Sequence, residues 1–201
     1  MVTITDEIKQ TDLANTYSLS DGLLDGSARR VTQYVYNGNY GDNKVKFGAY
    51  YGGSSKRSMK NLDLTNKRKN AWGTGLIFDH EIDSIQNVTV AAGFTREISE
   101  NANKTAYYSN AYALGLAYNF VHTTYGLDLA HKDTKNKDGA GNKVKNNEVT
   151  AVIRQGLNED WNVYAMYSYK TEKTLPVGSA YSKSTDRQFL VGTEYYVYNQ
   201  G

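Results

Sequence analysis

The sequence contains no cysteine, only one proline and no long hydrophobic run. Without cysteine, the chain has no disulfide bonds, no thiol nucleophile and no thiolate metal site. No stretch approaches the roughly 20 consecutive apolar residues that a membrane-spanning helix needs. The start, MVTITDEIKQTDLANTYSLS, also lacks the basic region followed by an apolar region that marks a signal peptide. We therefore expect either a protein that is not exported or a natural N-terminus upstream of Met1.

The chain also has little excess charge and little hydrophobic bulk. Lys and Arg total 23 against 21 for Asp and Glu, and the net charge of +2 falls far short of the positive field of a nucleic-acid-binding protein. Only 39% of the residues are hydrophobic and the mean hydropathy is −0.64, so the predicted interior is polar. The abundant residues are Tyr (18) and Gly (18), which favour strands and tight turns. This composition predicts an all-β chain.

Hydrophobic residues recur along the chain with a period of two, which is the spacing of a strand with two different faces. In AWGTGLIFD, for example, Trp72, Leu76 and Phe78 share one face, and Gly73 and Gly75 lie on the other. Large apolar side chains thus point one way, whereas small or, in later segments, polar side chains point the other way. The segments that follow this pattern are 29–37, 44–52, 70–79, 87–96, 109–120, 123–132, 147–156, 161–171 and 187–198.

The connectors between these segments alternate between short and long. The short GNYGDN precedes the long GSSKRSMKNLDLTNKR, HEIDSIQ precedes EISENANKTAYY, and VHT precedes DTKNKDGAGNKVKN. This order predicts antiparallel neighbours, with tight turns at one end of the sheet and large polar loops at the other. An outer-membrane β-barrel is built in this way.

Aromatic residues cluster near both ends of the predicted strands, where an outer-membrane barrel has its two aromatic girdles. The group near the short turns is Tyr34, Tyr36, Phe78, Tyr118, Phe120, Trp161 and Tyr195. The group near the long loops is Tyr50, Tyr51, Phe94, Tyr107, Tyr108, Tyr167 and Tyr169.

Two stretches carry a family resemblance. NKRKNAWGTGLIFDHEIDSIQNVTVAAGFTRE contains a hairpin followed by an aliphatic strand that ends in Thr-Arg, with Trp72, Thr74, Gly75, Leu76, Asp79 and Arg96 at the matching positions. FLVGTEYYVYNQG contains Val191, Gly192, Tyr195 and Tyr196 in a Val-Gly-x-x-Tyr-Tyr pattern. Both resemble paired strands of the general, non-specific trimeric porins of Gram-negative outer membranes. The resemblance implies that the chain is internal, covering about strands 6–14 of a barrel of about 16 strands. We therefore expect an open, incomplete barrel with unpaired edges.

The resemblance also implies a domain organisation and a function. Residues 1–28 would be the third loop, which folds into the barrel and narrows it, and residues 29–201 would form one barrel domain. The implied function is a water-filled channel for passive diffusion of small hydrophilic solutes and ions, with no cofactor and no enzymatic activity. The implied setting is the outer membrane, among its lipid and lipopolysaccharide, with a homotrimer as the assembly and no nucleic-acid partner.

The candidate pore residues follow from the resemblance together with the alternation of faces. The constriction loop would contribute acids, and the barrel wall would contribute charges that face away from lipid. If Tyr34 and Tyr36 face lipid, Arg29 faces the lumen. The loop candidates are Asp6, Glu7, Asp12, Asp21 and Asp25, and the wall candidates are Arg29, Lys46, Asp128, Arg154 and Glu194.

Other functions find less support in the sequence. An adhesin or surface antigen would use the long Lys- and Asn-rich loops to bind a partner, and a soluble lipocalin-like β protein would need no export signal. TKNKDGAGNKVK has no acid at the first or last ligand position of a calcium loop. His80 and His122 fall at short turns and His131 at the other end, so we expect no convergence into a hydrolase site.

Overall fold

The computed structural model describes residues 31–56, 67–100, 106–136 and 143–195. These residues form one antiparallel sheet of nine long strands joined in chain order, and the two-residue strand β3 pairs with β4. The strands are β1 (Val31–Tyr40), β2 (Asn43–Gly52), β3 (Ser55–Lys56), β4 (Lys67–Asp83), β5 (Gln86–Glu100), β6 (Ala106–Phe120), β7 (Thr123–Asn136), β8 (Lys143–Gly156), β9 (Trp161–Leu175) and β10 (Ser182–Tyr195). The prediction of an all-β antiparallel sheet is confirmed.

Several strands are longer than the sequence pattern predicts. EISENANKTAYY was expected to be a loop, but β5 continues to Glu100 and β6 begins at Ala106, with Ile98 paired to Tyr108. Polar residues occupy both faces in this stretch, so no period of two marks it, although the backbone ladder continues. The first connector is likewise reduced to Gly41 and Asp42, and Gly41 adopts the left-handed φ of 60° that such a turn requires.

The sheet has two different faces, as the alternation predicts. We call outer the face that exposes large apolar side chains, such as Leu76 (46%) and Phe189 (71%). We call inner the opposite face, whose central side chains are buried, among them Ala91 and Thr150 at 0%. Small residues dominate the inner face on β2 to β6, and polar residues join them on β7 to β10. The sheet is therefore apolar outside and small or polar inside.

Tyr50 is an exception to the predicted girdles, because it lies on the inner face. Only 4% of it is exposed, and its hydroxyl donates to Thr95 Oγ1 at 3.2 Å. Its ring covers Gly73, where an added Cβ would lie 2.5 Å from Tyr50 Cε1. A large ring thus fills the space left by a glycine on the neighbouring strand. Residue type alone had suggested the wrong face for this aromatic side chain.

The two ends of the sheet differ. The turn end, at residues 41–42, 84–85, 121–122 and 157–160, has connectors of two to four residues. Side chains link its strands: the Tyr118 hydroxyl donates to Gln86 Oε1 at 2.7 Å, and Thr124 Oγ1 donates to Asn119 Oδ1 at 2.6 Å. The loop end is the opposite one, where β4, β6, β8 and β10 begin. Among the described residues, no helix has the length and hydropathy that a membrane crossing requires.

The sheet is open. Within the described part of the chain, β1 pairs only with β2 and β10 pairs only with β9. Each of these strands therefore presents one backbone edge without a strand neighbour there. The expectation of an unclosed sheet is confirmed.

Candidate pore-facing surface

The predicted constriction loop lies outside the described residues. Its acids, Asp6, Glu7, Asp12, Asp21 and Asp25, and the wall candidate Arg29 all fall within residues 1–30. The remaining wall candidates are on described strands and can be placed.

All four of these wall candidates lie on the inner face. Lys46 on β2 and Asp128 on β7 belong to one cross-strand row, which runs through Ile77, Ala91 and Gly115. With about 4.8 Å between neighbouring strands, the two charges stand about 19 Å apart along the sheet. The structure therefore puts them in line but not in contact, and only 6% of Asp128 is exposed.

Arg154 and Glu194 form the one described ion pair between predicted wall residues. Arg154 Nη2 lies 2.9 Å from Glu194 Oε2, and the side chains are 31% and 19% exposed. The pair joins β8 to β10 across β9, whose Tyr164 lies opposite both Arg154 and Gly192. The Tyr164 ring occupies the space that a side chain at Gly192 would need. The pair and the ring together fix the inner wall near the turn end.

We expect Glu194→Gln to destabilise the protein on the order of 1 kcal/mol, because Arg154 then loses a partly buried partner. In Arg154→Gln/Glu194→Gln the loss should be smaller than the sum of the single losses. Unfolding of the four proteins in detergent measures this coupling. Strictly additive effects would show that the pair contributes nothing.

A second polar cluster on the inner face escaped the sequence interpretation. Thr150 and Ser168 are fully buried, and their hydroxyl oxygens lie 2.9 Å apart. Thr150 Oγ1 also lies 3.3 Å from Glu148 Oε1, and only 2% of Glu148 is exposed. The alternation of faces in the sequence could have identified Glu148, because it lies an even number of residues from Thr150 and Arg154 on the same strand and therefore on the same face. The cluster adds a carboxylate and two hydroxyls to the wall beside Asp128, which pairs with Thr150 in the ladder.

The outer face carries aromatic contacts at both ends. Toward the loop end, rings follow one another across β4 to β7: Trp72 and Phe94 are 4.9 Å apart, Phe94 and Tyr112 5.0 Å, and Tyr112 and His131 6.3 Å. We call these four residues the aromatic row. At the turn end, Trp161 and Tyr195 stack edge to face at 5.5 Å, and Tyr118 and Tyr125 lie 6.2 Å apart.

The height between these aromatic groups fits a bilayer. On β6, the outward tyrosines Tyr108 and Tyr118 are ten residues apart, which is about 34 Å of strand and about 24 Å of height at a tilt of about 45°. Outer-membrane barrels have an apolar band about 25 Å tall between their girdles. Leu114 and Leu116 occupy the middle of this span.

The histidines do not converge. His80 Nδ1 lies 2.9 Å from Asn43 Oδ1 at the turn end, and His131 Nδ1 lies 2.7 Å from Asn147 Oδ1 on the outer face toward the loop end. In the part of the chain that the structure describes, no three His, Cys, Asp or Glu residues are grouped to hold a metal ion. Part of the calcium-like stretch, residues 137–142, lies outside that part.

An antiparallel sheet with an apolar, aromatic-rimmed outer face and a polar inner face is the wall of an outer-membrane β-barrel protein. Two solved structures share this fold. One is OmpT, an outer membrane protein of Vibrio cholerae, folded in vitro and in a trimer form, with 13% identity and a TM-score of 0.58. The other is OmpT of Vibrio cholerae expressed in the outer membrane, with 15% identity and a TM-score of 0.60. Each match covers 98% of this chain and 75% of the other.

These comparisons establish the fold of the chain. No family model matches it, and no curated protein matches it. The neighbours are outer-membrane proteins, in agreement with the outer-membrane location that the sequence predicts.

The prediction that the chain is not an enzyme needs correction. This prediction depended on the resemblance to general porins. The structural neighbours, both named OmpT, do not establish that the chain is a general porin. At 13–15% identity they share a fold with this chain, and a fold does not decide whether a chain is catalytic. The exclusion of enzymatic activity was therefore wrong to draw and is withdrawn.

Proposed function

We propose that this chain is part of the wall of a general porin, an outer-membrane channel for passive diffusion of small hydrophilic solutes and ions. The observation that carries the proposal is the sorting of side chains by face. Exposed apolar residues occupy one face, and charged and hydroxyl groups such as Asp128, Thr150 and Arg154 occupy the other. A wall that separates lipid from a polar lumen needs this arrangement.

In this proposal residues 1–28 lie against the inner face as a constriction loop, and residues 29–201 form the barrel domain. The charge of the inner face supports this proposal, because Arg154 and Lys46 on the wall would offer cationic partners to the acids of such a loop. Acids on such a loop would face the wall charges across the lumen.

The proposed assembly is a homotrimer embedded in outer-membrane lipid and lipopolysaccharide. One neighbour is described as a trimer form, which supports this state. The alternative function of an adhesin depends on the connectors 57–66, 101–105 and 137–142, which lie outside the described residues.

Planar-bilayer recording tests the channel. Protein extracted from the outer membrane of its own cells should give steady ohmic steps, and Asp128→Asn should lower the preference for cations in a salt gradient because it removes an inner-face charge. Asp133→Asn is the matched control, since it removes the same charge from the outer face of the same strand. Absence of steps from the folded protein, or equal shifts in both variants, would refute the proposal.

A further inference from the structure

A row of outward-facing side chains begins at Trp72 and crosses the sheet on the loop side of the other three members of the aromatic row. Its members are cross-strand partners on the seven consecutive long strands from β4 to β10, and they are Trp72, Arg96, Asn110, Asp133, Lys145, Lys173 and Lys183. Four of these seven carry positive charge, whereas one carries negative charge.

The one acid in the row already has basic neighbours. Asp133 Oδ2 lies 3.2 Å from His131 Nε2, and Asp133 Oδ1 lies 3.8 Å from Lys143 Nζ. Its charge is therefore shared with side chains outside the row. It does not balance the three lysines that follow.

Lys145, Lys173 and Lys183, which we call the lysine cluster, stand side by side on β8, β9 and β10. Neighbouring strands are about 4.8 Å apart, and like charges placed directly opposite each other destabilise a sheet. In the described part of the chain, no carboxylate lies within ion-pair distance of Lys145 or Lys183. Lys173 Nζ lies over the Tyr181 ring at 4.0 Å, which holds its ammonium group at the surface.

The charges of the two faces differ at this end of the sheet. The inner face of the same strands carries both signs, with Glu148, Glu172 and Asp186 beside Lys132 and Lys170. A general need for solubility does not explain why the positive charges of the two faces differ. A negatively charged layer in contact with the outer face alone would explain the excess of lysine there.

Two outward arginines have tyrosine partners. Arg96, a member of the row, lies 5.1 Å from the Tyr108 ring centroid, and Arg187, four residues from Lys183 on β10, lies 5.7 Å from the Tyr169 ring centroid. Aromatic rings topped by basic side chains mark the boundary between hydrocarbon and headgroups in membrane proteins.

We propose that the lysine cluster binds the phosphate groups of anionic lipid headgroups in the leaflet at the loop end. A phosphate provides three acceptor oxygens, enough to be shared among adjacent ammonium groups, and its charge removes the repulsion between them. This inference rests on the outer-membrane setting of the proposed function but not on pore activity.

Lipid retention tests the proposal. The protein is folded into phosphatidylcholine vesicles that contain either lipid A with both phosphates or lipid A without them, and the lipid that stays bound after extraction in detergent is quantified. We expect Lys145→Gln/Lys173→Gln/Lys183→Gln to retain about tenfold less phosphorylated lipid A than the unchanged protein. Retention of the dephosphorylated form should be equal in both.

The matched control is Lys44→Gln/Lys132→Gln/Lys170→Gln, which removes the same charge from the inner face. It should retain phosphorylated lipid A like the unchanged protein, and equal losses in both triple variants would overturn the proposal. Replacing the lysine cluster by arginine should preserve retention. Full competition by inorganic phosphate at matched concentration would show a general anion site and would overturn the assignment to lipid.

Stability supplies a second readout that does not depend on extraction. In zwitterionic detergent without lipid A, the glutamine variant of the lysine cluster should unfold at a higher temperature than the unchanged protein, because the repulsion is gone. Added phosphorylated lipid A should raise the unfolding temperature of the unchanged protein only. A variant that is less stable in detergent alone would contradict the argument from repulsion. Conductance is measured in a separate experiment. If that experiment refutes the channel, the retention and stability results still decide whether the lysine cluster binds lipid phosphates.

Discussion

Gly73→Ala is expected to destabilise the protein by about 1–3 kcal/mol, because the inner face has no room for a methyl group at this position. An added Cβ would lie 2.5 Å from Tyr50 Cε1 and 2.8 Å from the Phe94 carbonyl oxygen. The carbonyl belongs to the backbone of β5 and cannot move away alone. Tyr50 would have to leave its buried place and its bond to Thr95.

The measurement is unfolding in detergent followed by tryptophan fluorescence, since Trp72 adjoins Gly73 and lies against the Phe94 ring. Gly53→Ala is the control, because no atom lies within 4 Å of a Cβ built there. Equal stability of the two variants would show that Tyr50 does not depend on the glycine.

The second large effect concerns conductance. Residues 1–201 refolded alone in a planar bilayer should give no steady ohmic steps, whereas protein extracted from the outer membrane should give them. The reason is that the sheet is open. In the described part of the chain, β1 and β10 each have one backbone edge without a strand neighbour. Each backbone group left unpaired in hydrocarbon costs several kcal/mol, so lipid does not tolerate an open edge.

Folding must be checked in the same samples, because an unfolded chain would also be silent. A β-rich circular dichroism spectrum of residues 1–201 in detergent provides this control. Steady steps from that folded chain alone would show that its edges find partners in the bilayer and would contradict the prediction.

The faces of the strands could be predicted from the sequence because a period of two is visible wherever large and small residues alternate. Trp72 and Leu76 point outward, and Gly73 and Gly75 point inward, as expected. The strand ends could not be predicted in the same way. Around Ile98 and Tyr108 polar residues occupy both faces, and only the hydrogen-bonded ladder identifies the strands.

The candidate site could be predicted only in part. Parity along one strand was enough to assign Asp128 and Arg154 to the inner face. The contact between Arg154 and Glu194 needs the register of three strands, which no single segment contains. The lysine cluster could not be predicted for the same reason. Its members are far apart in the chain and become neighbours only through strand pairing.

The direction of the edge strands limits how the sheet can become a ring. All neighbours among the nine long strands are antiparallel, so β1 and β10 run the same way. Joining them directly would create one parallel pair, with slanted hydrogen bonds, in a wall that is otherwise antiparallel. A fully antiparallel ring needs an odd number of strands between β10 and β1, whatever their source. The two edges are therefore not complementary to each other, and each fits a strand that runs the opposite way.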